Sequence, residues 1–437
     1  MSTALILAAG HGTRMRSALP KAMHPIAGQP MLRHLLASCA AVFEHIVVVV
    51  GPEMEALAEM AAPHAVVVQQ ERRGTAHAAL QAEALFGGDD VAVLYADNPL
   101  IRPETLARLR AARSDADLAL LAMRPPEPGR YGRVVVEDGA VRRIVEYADA
   151  SAEERAIGLC NAGVFCAEAS HLRDWLSRVS VAPGGEYYLT DIVQFAARAH
   201  AVEAPYAELR GINTRAELAE AEASVQQGLR AAAMEGGATL IAPETVFLAY
   251  DTAMGRDVTV GPHVVFGRGV TVGDGCEIRA YSHLEGCTLA EGAVIGPFAR
   301  LRPGTVIDAG AHVGNFCEIK AAHLGEGAKV NHLSYIGDAS VGARSNIGAG
   351  TITCNYDGNV KHHTSLGAEV FIGSNATLVA PITIGDGAFI AGGSTITDDV
   401  AAGGLAFGRA RQETKPGMAA RLRALLRDRA QAEKERG

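Results

Sequence analysis

Aromatic side chains are scarce in this 437-residue chain, at 5% of positions with a single tryptophan, Trp175. A long chain with so few rings points to a narrow interior filled by aliphatic side chains, and the 48 glycines point the same way. Paired cysteines are also missing. The seven, Cys39, Cys160, Cys166, Cys276, Cys287, Cys317 and Cys354, are odd in number and never spaced as CxxC. That argues against a disulfide scaffold or a zinc site and for buried thiols in a reducing compartment. Positive charge is in deficit: the net charge of −9 argues against a general nucleic-acid binder. It leaves room for small anionic ligands, which need only a few placed Lys and Arg. No run approaches the roughly 18 apolar residues that span a bilayer. The first residues show no basic segment followed by a cleavable apolar stretch, so a cytoplasmic protein without a membrane partner is expected.

What is present suits a folded protein, with 49% hydrophobic and 20% charged residues. The length exceeds one ordinary core and predicts two domains, or one domain and a solenoid. Short apolar runs at 4–9, 46–50, 65–69 and 91–95 alternate with helical patterns at 30–42, 53–62 and 76–86. Continuous apolar strands between helices predict an α/β domain with a mostly parallel, Rossmann-like sheet, continuing to about residue 220. Residues 214–235 are rich in Ala and Glu and predict one long helix joining the halves, ended by Gly236-Gly237.

From about residue 258 to 400 the period becomes six. Val260, Phe266, Val272, Ile278 and Leu284 form one frame, Leu289 to Ile319 a second, and Leu324, Val330 and Ile336 a third. Val341 and Ile347 follow, and Leu366 to Ile396 resume the frame after an interruption. This is a hexapeptide repeat, in which each six residues make one flat side of a triangular parallel β-helix. The aliphatic residue points inward and small residues turn the corners. Spacing does not give the hand, since parallel crossovers are ordinarily right-handed. Residues 351–365, TITCNYDGNVKHHTS, break the repeat and predict a projecting loop of the kind that carries function.

The first strand runs into Leu7-Ala8-Ala9-Gly10-His11-Gly12-Thr13-Arg14, followed by Leu19-Pro20-Lys21. A Gly-rich turn after a strand offers backbone N–H groups to phosphate, and Arg14 and Lys21 can neutralise a triphosphate. A dinucleotide fold would need a third glycine and an acid closing the second strand, which ends Val50-Gly51-Pro52. Asp97 alone would read as a turn residue before Pro99. The segment LAAGHGTRMRSALPKAM, however, closely resembles the signature of sugar-nucleotidyltransferases, and further matches follow in order. Leu7, Ala8, Ala9, Gly10, Gln69, Gly74 and Thr75 resemble the nucleotide-contacting segments. Tyr95, Ala96 and Asp97 resemble the metal motif. Gly132, Glu146, Asn161 and Asn213 resemble sugar- and metal-binding positions. The resemblance implies attack of a sugar 1-phosphate on the α-phosphorus of UTP. Asp97 and Asn213 would hold Mg²⁺, with Arg14 and Lys21 stabilising charge.

In the repeats, Arg302 and Lys320 are eighteen residues apart, one full coil, and so stack on one side as a pair suited to phosphate. His332 lies two hexads further; a lone histidine there is more often packed or on the surface. Together with Tyr335, Asn346 and the 351–358 loop, these stretches closely match the acetyltransferase half of the bifunctional N-acetylglucosamine-1-phosphate uridylyltransferase / glucosamine-1-phosphate acetyltransferases. The match covers essentially the whole chain in the same domain order. It implies a sugar-nucleotidyltransferase domain at 1–213, a helical linker at 214–237, a left-handed β-helix at 238–410 and a basic tail at 411–437. It also implies synthesis of UDP-N-acetylglucosamine for peptidoglycan and lipopolysaccharide precursors, with acetyl-CoA and UTP as co-substrates. His332 would be the general base. Arg302, Lys320, Tyr335 and Asn346 would bind the amino sugar phosphate. Ala349, Asn355, Tyr356, Ser374, Gly392 and Arg409 would bind acetyl-CoA, between subunits of a homotrimer. The sequence departs from the family at His11, Ala96, Asn98 and Gly392. Two other readings stay open: a nucleotidyltransferase whose β-helix serves only assembly or regulation, and a catalytically inactive nucleotide-sensing scaffold.

Overall fold

The computed structural model describes residues 1–10, 12–182 and 185–436. The departure noted at His11 lies outside the described residues. The chain divides into two compact units, Met1–Glu235 with Phe247–Thr252, and Gly236–Val246 with Ala253–Gly437.

In the first unit β1 (Thr3–Leu7), α1 (Met31–Ala40), β2 (His45–Val50), α2 (Glu55–Ala61), β3 (Ala65–Val68), α3 (Thr75–Leu80) and β4 (Asp90–Tyr95) follow the alternation of apolar runs. β1 is buried at every position, with Ala4 and Ile6 in one core cluster and Leu5 and Leu7 in the other. A strand covered on both faces has no polar face to show in its sequence. Next come α4 (Pro103–Ala112), β5 (Leu118–Met123), the hairpin of β6 (Arg133–Glu137) and β7 (Ala140–Val145), β8 (Cys160–Glu168), α5 (Ala169–Arg178) and β9 (Ala199–Glu203). The sheet order is β9-β5-β8-β4-β1-β2-β3. Along this path the strands run one way except β8, which is antiparallel to both β4 and β5; the β6–β7 hairpin joins through β8. Leu7 is level with Val49 and Tyr95, so β1, β2 and β4 end together. The chain leaves β1 for β2 on one side and reaches β4 on the other, so a crevice opens at these ends.

The long helix α6 (Arg215–Glu235) forms as the composition predicts, but it is more than a connector. Glu222 accepts the N–H of Ala27 at 2.7 Å, and buried Gln226 exchanges two hydrogen bonds with the backbone of Leu248, at 2.7 and 2.9 Å. The helix thereby packs with the first unit, and the division between the two units falls after Glu235.

The second unit is a left-handed parallel β-helix. Its coils begin earlier than the period shows, with Leu240 level with Val260. The column continues through Ile278, Ile295, Val313, Val330, Ile347, Ile372, Ile390 and Ala406. The inward residues of every predicted frame are buried, from Val260 to Ile396. One corner departs from the expectation of small residues. His263, Tyr281, Phe298, Phe316 and Leu333 all adopt left-handed backbone there, φ 52° to 61°. That conformation costs an L-residue about 1–2 kcal/mol. The rings offset the cost by stacking coil upon coil, at 4.9, 4.9 and 5.2 Å between centroids. In the tail, α7 (Met418–Lys434) has no buried residue.

Candidate functional sites

The crevice of the first unit is a cavity of about 430 Å³. Leu7, Ala8, Ala9, Gly10, Lys21, Gln69, Gly74, Thr75, Tyr95, Ala96 and Asp97 all line it, so every predicted nucleotide-contacting residue from β1 to β4 meets here. Gly74 has φ +105°, and a Cβ on it would stand 2.6 Å from the Tyr187 backbone, so only glycine lets the chain pass. Buried Gln69 donates its amide to Gly74 O at 3.1 Å. Arg72 and Glu186 also line the cavity and were not predicted. A single Arg in a polar turn and a Glu more than a hundred residues downstream carry no periodic signal.

At the β4 end, Asp97 Oδ2 is 2.5 Å from Lys21 Nζ, and Asn213 Oδ1 is 3.0 Å from the same nitrogen and 2.8 Å from Arg14 Nη2. Asn213 is fixed at the start of α6, where Glu217 accepts the N–H of Asn213 and of Thr214 at 2.6 and 2.8 Å. Ile212 N–H donates to Asp97 O at 2.9 Å, which ties this turn to β4. Two hard oxygens therefore converge on one cation. Such a donor set fits Mg²⁺, which takes few protein oxygens and fills its shell from phosphate and water. Asn98, one of the departures, is buried and donates to Leu209 O at 2.6 Å, so its role is to hold the loop before α6.

Gly132, Asn161 and Glu146 form a second group beyond the cavity lining. Asn161 N–H donates to Gly132 O at 2.8 Å, and a Cβ on Gly132 would stand 3.4 Å from a Glu146 oxygen. Burial pushes the Glu146 carboxyl above its ordinary range, helped by Asp149 and Asp191. Burial likewise raises the Tyr95 phenol to about 12, against a hydrogen bond with Thr75. Gly163, with φ +77°, leaves the space that the Tyr95 ring occupies.

In the β-helix, Arg300 is level with Glu318 and Leu301 with Ile319, which sets Arg302 beside Lys320 as the eighteen-residue spacing requires. Arg302 Nη1 donates to Glu318 at 2.9 Å, and Lys320 Nζ to Asp338 at 3.0 and 3.2 Å. Asn355 donates its amide to the same Asp338 carboxylate. Burial would raise Asp338, but Lys320 and Asn355 outweigh it and hold the group below its usual range. Tyr335 pairs with Glu318, and its hydroxyl lies over Gly337, where a Cβ would collide with it. The insertion folds as a hairpin closed by a Tyr356–Lys361 bridge. Asp357 locks its tip, accepting from Asn359 N, Val360 N and His362 Nε2 at 2.8, 2.7 and 2.7 Å. Lys361 thereby reaches Lys320, whose charge, with that of Arg302, pushes its ammonium below the ordinary value. This third cation was not predicted, because the break in the repeat hid its register. Asn355, predicted with the acetyl donor, instead sits with the phosphate-type cluster, while Asn346 lies in a different sheet from Lys320, level with Lys329 and Phe371.

His332 Nδ1 is 2.9 Å from Asn315 Oδ1, one coil below. An acceptor on Nδ1–H leaves the lone pair on Nε2, the state a base needs. Above His332 the same corner position is taken in successive coils by Ala349, Ser374 and Gly392. Gly350 N–H donates to His332 O, Asn375 N–H to Ala349 O and Gly393 N–H to Ser374 O, at 3.1, 2.7 and 2.8 Å. Arg409 lies against Gly393. A Cβ on Gly392 would stand 3.3 Å from Ser374 O, so this departure keeps a side chain off the rail at that point. The corner that bears rings below Leu333 thus bears Gly350, Asn375 and Gly393 above it. With coils about 4.8 Å apart, the rail from His332 to Gly392 is about 14 Å long. Tyr356 is exposed and donates its hydroxyl to Gly358 O at 2.5 Å.

Residues 4–159 match the family model of the MobA-like NTP transferase domain. Residues 251–286 and 363–398 match that of the bacterial transferase hexapeptide. Relatives named "Bifunctional protein GlmU" align along nearly the whole chain. The relative from Gluconacetobacter diazotrophicus is 64% identical over 437 residues, 98% of this chain and 95% of that one. That from Granulibacter bethesdensis is 62% identical over 436 residues, 97% of each chain. That from Acidiphilium cryptum is 59% identical over 429 residues, 97% of this chain and 98% of its own.

Proposed function

The chain belongs to the bifunctional GlmU family, and from that premise we infer how its two sites make UDP-N-acetylglucosamine. The protein is an acetyltransferase and a uridylyltransferase in one chain. In the β-helix, Arg302, Lys320 and Lys361 hold the phosphate of glucosamine 1-phosphate, with Tyr335 and Asn346 on the sugar. The amine attacks the thioester carbonyl of acetyl-CoA, His332 Nε2 takes the amine's proton, and the thiolate of coenzyme A leaves. The donor lies along Ala349, Ser374, Gly392 and Arg409, with Tyr356 at the hairpin side, and Asn355 braces the sugar-phosphate cluster through Asp338. An extended arm suits a rail of about 14 Å.

In the first unit, a phosphate oxygen of N-acetylglucosamine 1-phosphate attacks the α-phosphorus of UTP, and the bond to the β-phosphate breaks to release pyrophosphate. Gln69, Gly74 and Thr75 hold the base, the Leu7–Gly10 turn cradles phosphate, and Gly132, Glu146 and Asn161 orient the sugar. Arg14 and Lys21 balance charge as it shifts to the leaving group. Asp97 and Asn213 would hold Mg²⁺, which supplies charge neutralisation at the phosphates.

The observation that carries the bifunctional reading is the imidazole with a free Nε2 at the head of a small-residue rail. A β-helix serving only assembly needs neither. His332→Ala abolishes acetylation and spares uridylyl transfer, and Asp97→Asn does the reverse; if both activities survive either change, the assignment is wrong. Self-association as a homotrimer is supported by the exposed stripe of Tyr281, Phe298, Phe316 and Leu333. Phe298→Asp should lower the mass measured by light scattering, and an unchanged mass removes the stripe from the interface. Six buried, unpaired cysteines support a cytoplasmic location; among the described residues no helix is long and apolar enough to cross a membrane.

A further inference from the structure

We propose that Arg72 is a further nucleotide-binding residue, whose guanidinium contacts an anionic phosphate oxygen of the nucleoside triphosphate. The proposal rests on the nucleotide reading of the first-unit cavity. Arg72 lines that cavity with Ala8, Ala9 and Gly10. Its Nε donates to Ala9 O at 2.8 Å and its Nη2 to Pro52 O at 3.4 Å, so the turns after β1 and β2 both grip it. The grip needs Gly51, because a Cβ there would collide with Nη2. Among the described residues no carboxylate forms an ion pair with it.

The contrast with its neighbours gives the observation its meaning. Lys21 is committed to Asp97, and Arg14 donates to Asn213. Arg72 is half-buried, aimed by two carbonyls and left with uncompensated charge beside the turn that cradles phosphate. A guanidinium has five N–H donors, and the two carbonyls use two of them. The others remain for an anion, and a planar fork held in place loses little freedom on binding one. The carbonyl grip is therefore pre-organisation, and the ligand supplies the missing negative charge.

The test measures UTP and uridine separately, on the full chain with Mg²⁺. Arg72→Ala should raise KM for UTP about tenfold or more, the loss expected for one hydrogen bond to a charged group. Competitive inhibition by uridine, which has no phosphate, should change less than about twofold by the same reasoning. Arg72→Lys, which keeps the charge without the fork, should fall between. Gly51→Ala moves the guanidinium without deleting it and should raise KM for UTP alone, yet add little in the Arg72→Ala background, as coupled neighbours do. Retained inhibition by uridine, which binds the same unit, reports that each variant's crevice is folded. An unchanged KM for UTP, equal weakening of UTP and uridine, or additive effects of the two changes would each overturn the proposal. A wild-type protein without uridylyl transfer would instead sink the reading of the cavity itself.

Discussion

Removing the oxygen of Asn315 by Asn315→Ala tests whether the base is set by its neighbour. The contact is a single hydrogen bond, Oδ1 to His332 Nδ1 at 2.9 Å, between adjacent coils. The histidine is exposed in the single chain, so the bond carries the net value of an ordinary one, about 0.5–1.5 kcal/mol. Losing it lets the imidazole rotate and adopt the other tautomer. At about 1.4 kcal/mol per factor of ten, kcat/KM for acetyl transfer should fall about twofold to twelvefold. His332→Ala removes the base altogether and should cost about 10²- to 10⁴-fold. Asn315→Asp keeps an acceptor and adds charge, which favours imidazolium; the acid limb of the acetyl-transfer pH profile should move upward. The assay is coenzyme A release against pH, with pyrophosphate release as the control. An Asn315→Ala variant as impaired as His332→Ala, or one with an unaltered rate, refutes this account. So does an Asp variant whose pH limb stays put.

Glu146 gives a stability prediction of opposite sign to its binding role. Its folded-state carboxyl is raised by burial, Asp149 and Asp191, so ionising it opposes folding. Below the unfolded carboxyl range the group is protonated in both states and costs nothing; as pH rises through its folded value the wild type loses stability. Glu146→Gln should therefore melt higher at neutral pH, with the gain vanishing in acid, while KM for N-acetylglucosamine 1-phosphate rises; a gain that persists in acid contradicts the cause. Lys361→Ala should raise KM for glucosamine 1-phosphate about tenfold, the value of one charge-assisted contact, with kcat less affected; steady-state kinetics at varied sugar phosphate decide it. Chelation of divalent cations should stop pyrophosphate release and leave coenzyme A release unchanged; parallel loss of both would contradict a metal held only by Asp97 and Asn213.

How much of this was legible depends on whether a feature is local. The inward frame from Val260 to Ile396 is written in the sequence, because each coil repeats one steric demand every six residues. The stacking of Arg302 on Lys320 followed from that period alone. The Gly-rich turn and Asp97 were readable as types, and resemblance assigned their roles. Lys361 was not readable, because its reach to Lys320 depends on how a non-repeating hairpin is locked by Asp357. The reversed strand β8 was also hidden, since a buried apolar strand reads alike in either direction.

The sequence by itself determined a prism with aliphatic filling, an α/β partner, and the residue types at both sites. Tertiary structure alone decided which of those residues meet. Lys21, Asp97 and Asn213 lie up to 192 positions apart and converge because α6 is fixed on the first unit. Arg72 acquires its setting from the turns after β1 and β2, and His332 from an amide one coil away. Periodicity records what every repeat must do for its own burial. A site is made where distant segments are brought together once, and nothing in the local pattern has to repeat it.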